Sequence, residues 1–113
     1  MSREAVAVRD VPAEHRFVAQ DAGMLAQLIY KSAPSRLILV HTEVPEHLAG
    51  RGIGGILVRA ALDRAASEHL TIVPLCPFAR RWLKDHPETA NAARIDWAQA
   101  SIQSDADPDG QGA

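Results

Sequence analysis

Four glycines, Gly50, Gly52, Gly54 and Gly55, crowd a six-residue stretch of the chain. An apolar run at residues 37–40 precedes them, and an alanine-rich amphipathic segment at 56–69 follows. Glycine costs backbone entropy, which a fold accepts where a left-handed conformation or a close backbone approach is needed. A helix N-terminus carries unpaired N–H groups and roughly half a positive charge. Loop and helix together predict a site for a phosphate group; a glycine-rich turn without a ligand is the alternative.

Three side chains are candidates for chemistry beside this loop. Cys76 directly precedes Pro77, a residue that suits the first position of a helix. The positive end of that helix would favour a thiolate, which could accept an acyl group; a buried, inert thiol is the alternative. His41 and Glu43 share one face of a predicted strand, so either could accept a proton. A packed imidazole and a solvated carboxylate are the alternatives for these two.

The bulk composition limits the classes of protein. The chain has 113 residues, enough for one small domain, with 47% hydrophobic and 23% charged residues. A net charge of −2 argues against binding to nucleic acid. No apolar run has the length of a membrane span, and the N-terminus lacks a segment of signal-peptide length. The single cysteine excludes an internal disulfide and fits a reducing compartment, so we expect a cytoplasmic protein that does not bind a membrane.

Alternating apolar residues and turn signals predict an N-terminal sheet. The predicted strands span residues 5–8, 15–20, 24–30 and 36–43, with turns at 10–12, 21–23 and 32–35. In the last of these strands, strict alternation places Leu37, Leu39, His41 and Glu43 on one face.

The second half of the chain predicts a parallel crossover. A helix at 54–69 buries a stripe of apolar residues, and a strand at 71–75 follows it. Pro74 cannot donate to a ladder, so the two parallel strands should separate there and leave a cleft. A short helix is predicted at 77–86, a further helix at 88–103, and a disordered tail at 104–113.

The glycine spacing also has two nucleotide-binding interpretations. Gly50, Gly52 and Gly55 match the dinucleotide fingerprint, but they lie several residues past the strand, and the next strand ends in Val73-Pro74 without an acidic residue. A nicotinamide-binding fragment is therefore disfavoured. The phosphate loop of nucleotide triphosphatases is excluded because no Gly-Lys-Ser/Thr follows.

Several short motifs resemble the GNAT superfamily of acetyl-CoA-dependent acetyltransferases. Gly52 and Gly54 match the glycines of its Arg/Gln-x-x-Gly-x-Gly/Ala loop, with Ala49 at the Arg/Gln position and Arg51 between the glycines. The segments 41–45, 73–78 and 86–88, which read HTEVP, VPLCPF and HPE, together with this loop resemble the short-form group of that superfamily. The resemblance covers about residues 5–88.

The resemblance implies a fold, a co-substrate and an activity. The fold would be α/β and GNAT-like, with a mostly antiparallel N-terminal sheet joined to a parallel β-α-β crossover that splays to form an acetyl-CoA cleft. The domain would span residues 1–103. The activity would be transfer of acetyl from acetyl-CoA to an amine acceptor, either a small molecule or a protein lysine. A non-catalytic CoA-binding or protein-interaction module of the same fold is the alternative, because the short chain lacks the strands that usually complete the acceptor pocket.

The resemblance also assigns roles to residues. The catalytic candidates are Cys76, His41 and Glu43, and no metal is expected. The residues expected to bind acetyl-CoA are Val44, Arg51, Gly52, Ile53, Gly54, Gly55, Cys76 and Pro77. The acceptor and the oligomeric state stay open.

Overall fold

A computed structural model describes residues 6–21 and 23–98 of the chain. They form one six-stranded sheet whose strands lie side by side in chain order. The first four strands pair antiparallel, and the last two join in parallel. The predicted α/β class, with an antiparallel N-terminal sheet and a parallel crossover, is confirmed. The strands are β1 Ala7–Val11, β2 Arg16–Asp21, β3 Met24–Ala33, β4 Arg36–Glu43, β5 Thr71–Pro74 and β6 Arg94–Ile95, and the helices are α1 Ile53–Glu68, α2 Pro77–Asp85 and α3 Pro87–Ala90.

Helix α1 packs its apolar stripe on one face of the sheet, which we call the helix-covered face. Every residue of the predicted stripe is buried, and the alanines let the helix lie close to the strands. Buried residues of α2 and α3 belong to the same core cluster, so all three helices contribute to one core. The stripe consists of Leu57, Val58, Ala61, Leu62 and Ala65.

Strand β4 contains a bulge that the sequence pattern does not reveal. Ile29 pairs with His41 and the next residue, Tyr30, pairs with Leu39, so Val40 is an extra residue in β4. Side chains after the bulge therefore change sides. Leu37 and Leu39 share one face, as predicted, and both are fully buried. The prediction that His41 and Glu43 lie on that same face is wrong.

The register identifies where these residues lie instead. Thr42 pairs with the buried Leu28, which places Thr42 on the helix-covered face. Glu43 pairs with Gln27, and both lie on the other side of the sheet together with His41. We call that side the opposite face.

Strands β4 and β5 separate where Pro74 was expected to end their pairing. The last pair is Leu39 with Pro74, and the oxygen of Leu39 then accepts hydrogen bonds from the N–H groups of Leu75 at 3.0 Å and Cys76 at 2.9 Å. Strand β4 continues to Glu43, so within the described residues no strand pairs with this last part on its β5 side. The predicted splay is therefore present.

Two predicted elements differ from the structure at the ends of the chain. The first strand includes Asp10, predicted as a turn, because Asp10 pairs with Phe17 and accepts a 2.6 Å hydrogen bond from the hydroxyl of Tyr30. The helix predicted at 88–103 is wrong for residues 91–96, since α3 ends at Ala90 and Ile95 pairs with Ile72 in β6; Trp97 and Ala98 are helical again. Residues 99–103 and the predicted tail at 104–113 lie outside the described residues.

Candidate functional site

A cavity of about 470 Å³ opens where β4 and β5 separate. Pockets of this size hold small molecules in many proteins. The cavity lies between the end of β4, the N-terminus of α1 and the aromatic side chains of α2. Its walls are Thr42, Val44, Leu48, Gly50, Gly52, Ile53, Gly54, Gly55, Phe78 and Trp82. The predicted cofactor-binding residues Val44, Gly52, Ile53, Gly54 and Gly55 therefore come together here.

The N-terminus of α1 presents unpaired backbone donors to this cavity. Gly52 caps the helix, and the first helical hydrogen bond runs from the N–H of Ile56 to the oxygen of Gly52 at 3.1 Å. The N–H groups of the preceding first turn have no acceptor within the helix. Among the residues that the structure describes, no side chain caps this helix, and its first turn holds no acidic residue. Buried N–H groups without a partner are costly, so this end of the helix suits an anionic ligand.

The glycines of the loop serve two different purposes. Gly50 and Gly52 have φ angles of +83° and +77°, a region that favours glycine, and a Cβ atom at either would meet no atom within 4 Å. A Cβ at Gly54 would lie 2.6 Å from Cζ of Phe78, and one at Gly55 would overlap Nε1 of Trp82. Gly54 and Gly55 thus allow α2 to pack against α1, a role that the spacing of the glycines does not predict.

Arg51 and Pro77 lie beside the cavity. The guanidinium of Arg51 forms an ion pair with the carboxylate of Asp21 at 3.0 Å, and its side chain is 57% exposed. This contact ties the glycine loop to the end of β2. Pro77 occupies the first turn of α2, as predicted.

Cys76 lies behind the cavity wall. Its side chain is buried, and Sγ lies 3.2 Å from Oγ1 of Thr42, which lines the cavity. The thiol therefore contacts a residue of the cavity wall but does not itself line the cavity. Strict alternation would place Thr42 on the face away from Leu37 and Leu39, so only the bulge in β4 reveals that Thr42 lines the cavity.

His41 and Glu43 lie together on the opposite face at the end of β4. Nε2 of His41 donates to Oε2 of Glu43 over 3.2 Å, and both side chains are more than half exposed. Oε1 of Glu43 accepts a 2.7 Å hydrogen bond from Nε2 of Gln27. The hydrogen bond from Gln27, with a smaller contribution from His41, lowers the pKa of Glu43 below its ordinary value. The predicted pair is thus in contact, although the roles of its members stay predictions.

The hydrogen bonds continue away from Glu43 across the sheet. Oε1 of Gln27 accepts a 2.7 Å hydrogen bond from Nη1 of Arg16 on β2, and Nε of Arg16 donates to Glu14 over 2.8 Å. Gln27 and Arg16 carry no signal in the sequence, because only the pairing of β2, β3 and β4 places them beside Glu43.

A family model described as GCN5-related N-acetyl-transferase matches residues 16–92 of this chain. The chain belongs to this family. The matched residues include all of β2 to α3. They therefore include the cavity, the glycine loop and the candidate catalytic residues His41, Glu43 and Cys76. Family membership supports acetyl transfer as the general chemistry, with acetyl-CoA as the donor that GCN5-related N-acetyltransferases generally use.

Two relatives each match a little over half of this chain. Protein NATD1 from Homo sapiens is 38% identical over 63 residues, which are 55% of this chain and 56% of the relative. Protein NATD1 from Danio rerio is 34% identical over 71 residues, or 62% of this chain and 64% of the relative. The match therefore spans a little over half the length of these relatives.

A solved structure shows the same fold. It is the solution structure of a GCN5-like protein from Staphylococcus aureus, with a TM-score of 0.63 over 87% of this chain and 96% of that one. Its sequence identity is 24%, so the likeness establishes the fold alone.

Among the described residues, no helix is long and apolar enough to cross a membrane.

Proposed function

We propose that this protein is an acetyl-CoA-dependent N-acetyltransferase that moves the acetyl group to an amine. The observation that carries the proposal is the uncapped N-terminus of α1, which lines a cavity at the point where β4 and β5 separate. Phosphate groups of the donor would sit on the backbone N–H groups of Gly52 to Gly55. The thiol-bearing arm would run into the gap between the two strands and bring the thioester toward the end of β4.

The geometry supports direct transfer across this gap. An amine that approaches from the opposite face would meet the thioester near His41 and Glu43. Its nitrogen forms a bond to the acetyl carbon, the carbon–sulfur bond breaks, and CoA leaves as a thiolate. The proton of the amine passes to the His41–Glu43 pair and is finally taken up by the thiolate. Most of the protein's contribution is then positioning. Backbone N–H groups at the end of β4, where no described strand pairs on its β5 side, would stabilise charge on the acetyl oxygen.

A covalent route through Cys76 is the second mechanism to test. In this route the thiolate of Cys76 takes the acetyl group from CoA and passes it to the amine. The buried position of Cys76 behind Thr42 favours the direct route. Mass spectrometry after incubation with acetyl-CoA alone distinguishes the two, since only the covalent route leaves an acetyl group on Cys76.

Calorimetry and an acceptor screen test the proposal. Acetyl-CoA and CoA should bind more tightly than NAD, and equal or tighter binding of NAD would contradict the choice of donor. Incubation with acetyl-CoA and a panel of small amines and lysine peptides should then release free CoA. If acetyl-CoA binds but no amine in the panel causes release of free CoA, the protein is a non-catalytic CoA-binding module.

A cytoplasmic location stays a prediction from the single cysteine.

A further inference from the structure

A chain of hydrogen bonds on the opposite face leads from β2 to the end of β4. Arg16 on β2 donates to Gln27 on β3, Gln27 donates to Glu43 on β4, and His41 donates to the other oxygen of Glu43. The first two contacts are 2.7 Å long and the last is 3.2 Å. Both oxygens of the carboxylate therefore have a donor, so the plane of the carboxylate is fixed.

The direction of each hydrogen bond in this chain follows from chemistry. A guanidinium can only donate and a carboxylate can only accept. The amide of Gln27 must therefore turn its oxygen to Arg16 and its NH₂ group to Glu43. In the same way, the nitrogen of His41 that faces Glu43 must carry a hydrogen. In a neutral ring this leaves Nδ1 of His41 as the nitrogen that can accept a proton.

We infer that Gln27, itself held by Arg16, is a positioning residue for acetyl transfer: its amide fixes Glu43, which holds His41 with Nδ1 ready to accept the proton of the amine. This inference rests on the proposed function and assigns a role to each residue in the chain of hydrogen bonds. His41 receives the proton as the carbon–nitrogen bond forms and the carbon–sulfur bond breaks, and the departing thiolate of CoA takes the proton back. Glu43, Gln27 and Arg16 act through His41.

The charged groups around Glu43 lie on several elements. His41 is on the same strand as Glu43 and contacts its carboxylate. Arg16 is linked to Glu43 through Gln27, and Arg16 also donates a hydrogen bond to Glu14. Arg9 on β1 lies on the same face of the sheet, three strands away from Glu43: Arg9 pairs with Val18, Val18 with Gln27, and Gln27 with Glu43. Among these groups, His41 and the neutral Gln27 contact the carboxylate directly, so Gln27 can be replaced without changing any charge.

The test compares Gln27→Met with Gln20→Met, a matched change at an exposed glutamine on neighbouring β2. Both variants are checked for folding by circular dichroism. For Gln27→Met we expect kcat to fall by up to about 100-fold, the loss that a misplacement of about 1 Å produces, with an unchanged KM for acetyl-CoA. A ¹³C NMR titration should also show a rise in the pKa of Glu43, because the donor that lowers it is gone. Gln20→Met should change none of these quantities.

A double variant adds a second test of the same chain. In a Glu43→Gln background, Gln27→Met should lower kcat no further, because both changes break the same chain. An unchanged pKa of Glu43 in Gln27→Met would overturn the inference, and so would a raised pKa with unchanged kcat. If instead the wild-type protein acetylates no amine at all, the proposed function fails, and the positioning role falls with it.

Discussion

The glycine loop and the opposite face both lie at the end of β4, but they are built from different kinds of contact. The loop is local: Leu48 donates from its N–H to the oxygen of Pro45 at 2.8 Å, and Arg51 to the oxygen of Leu48 at 3.3 Å. The opposite face depends on side chains from three strands, joined by the hydrogen bonds of Gln27. Binding of acetyl-CoA should therefore respond to changes in the backbone of the glycine loop. The rate of acetyl transfer should respond to changes in the side chains of the opposite face.

The largest expected effect is on the rate, at the opposite face. His41→Ala should lower kcat by about 10²- to 10⁴-fold, the usual contribution of a general base, and leave the affinity for acetyl-CoA unchanged. The control is His47→Ala, an exposed histidine six residues further along that should retain activity. Steady-state kinetics and calorimetry measure the two quantities. A loss of acetyl-CoA affinity in His41→Ala would contradict the division between the two regions.

The next effect is on binding, at the loop. Gly52→Ala forces a side chain into a φ of +77°, and Gly23→Ala does the same at +78° in the β2–β3 turn. Both variants should lose about 1–2 kcal/mol of unfolding free energy, as chemical denaturation would show. Gly52→Ala alone should also weaken CoA binding, by about tenfold if one hydrogen bond to a charged phosphate is lost. Equal CoA affinity in the two variants would mean that the phosphates bind elsewhere.

A smaller effect, on stability, is expected at Gly54, which packs against α2 and does not need a positive φ as Gly52 does. Gly54→Ala places a methyl group against the half-exposed ring of Phe78 and should cost about 1 kcal/mol of stability. Phe78→Ala should relieve this cost, so the double variant should be more stable than the sum of the single changes predicts. Additive losses of unfolding free energy would show that Gly54 is not needed for the approach of α2.

The smallest effect is expected at Cys76. If transfer is direct, Cys76→Ala should retain most turnover, since the thiol is buried behind Thr42. Acetyl-CoA should nevertheless slow alkylation of Cys76 in the wild-type protein, because a ligand in the cavity would hold Thr42 in place. Loss of turnover in Cys76→Ala together with an acetylated wild-type thiol would establish the covalent route instead.

Local patterns in the sequence were enough to predict most of the fold and the glycine loop of the candidate site. The stripe on α1, the start of α2 at Pro77 and the end of pairing at Pro74 each depend on neighbours in the chain. The glycine loop is equally local, because its conformation is decided by residues that lack a side chain. These features follow from helical periodicity, proline chemistry and the freedom of glycine, which are readable within about ten residues.

The tertiary structure alone decided the rest of the site. One extra residue at Val40 reverses which side chains of β4 face the helices, and nothing in the composition of β4 marks that bulge. Gln27 and Arg16 reach Glu43 only because three strands pair in one particular register. The tertiary structure also placed Ile95 in a strand, since pairing with Ile72 outweighs its weak helical pattern. Contacts between residues distant in the chain depend on register, and the register is a property of the assembled sheet rather than of any one segment.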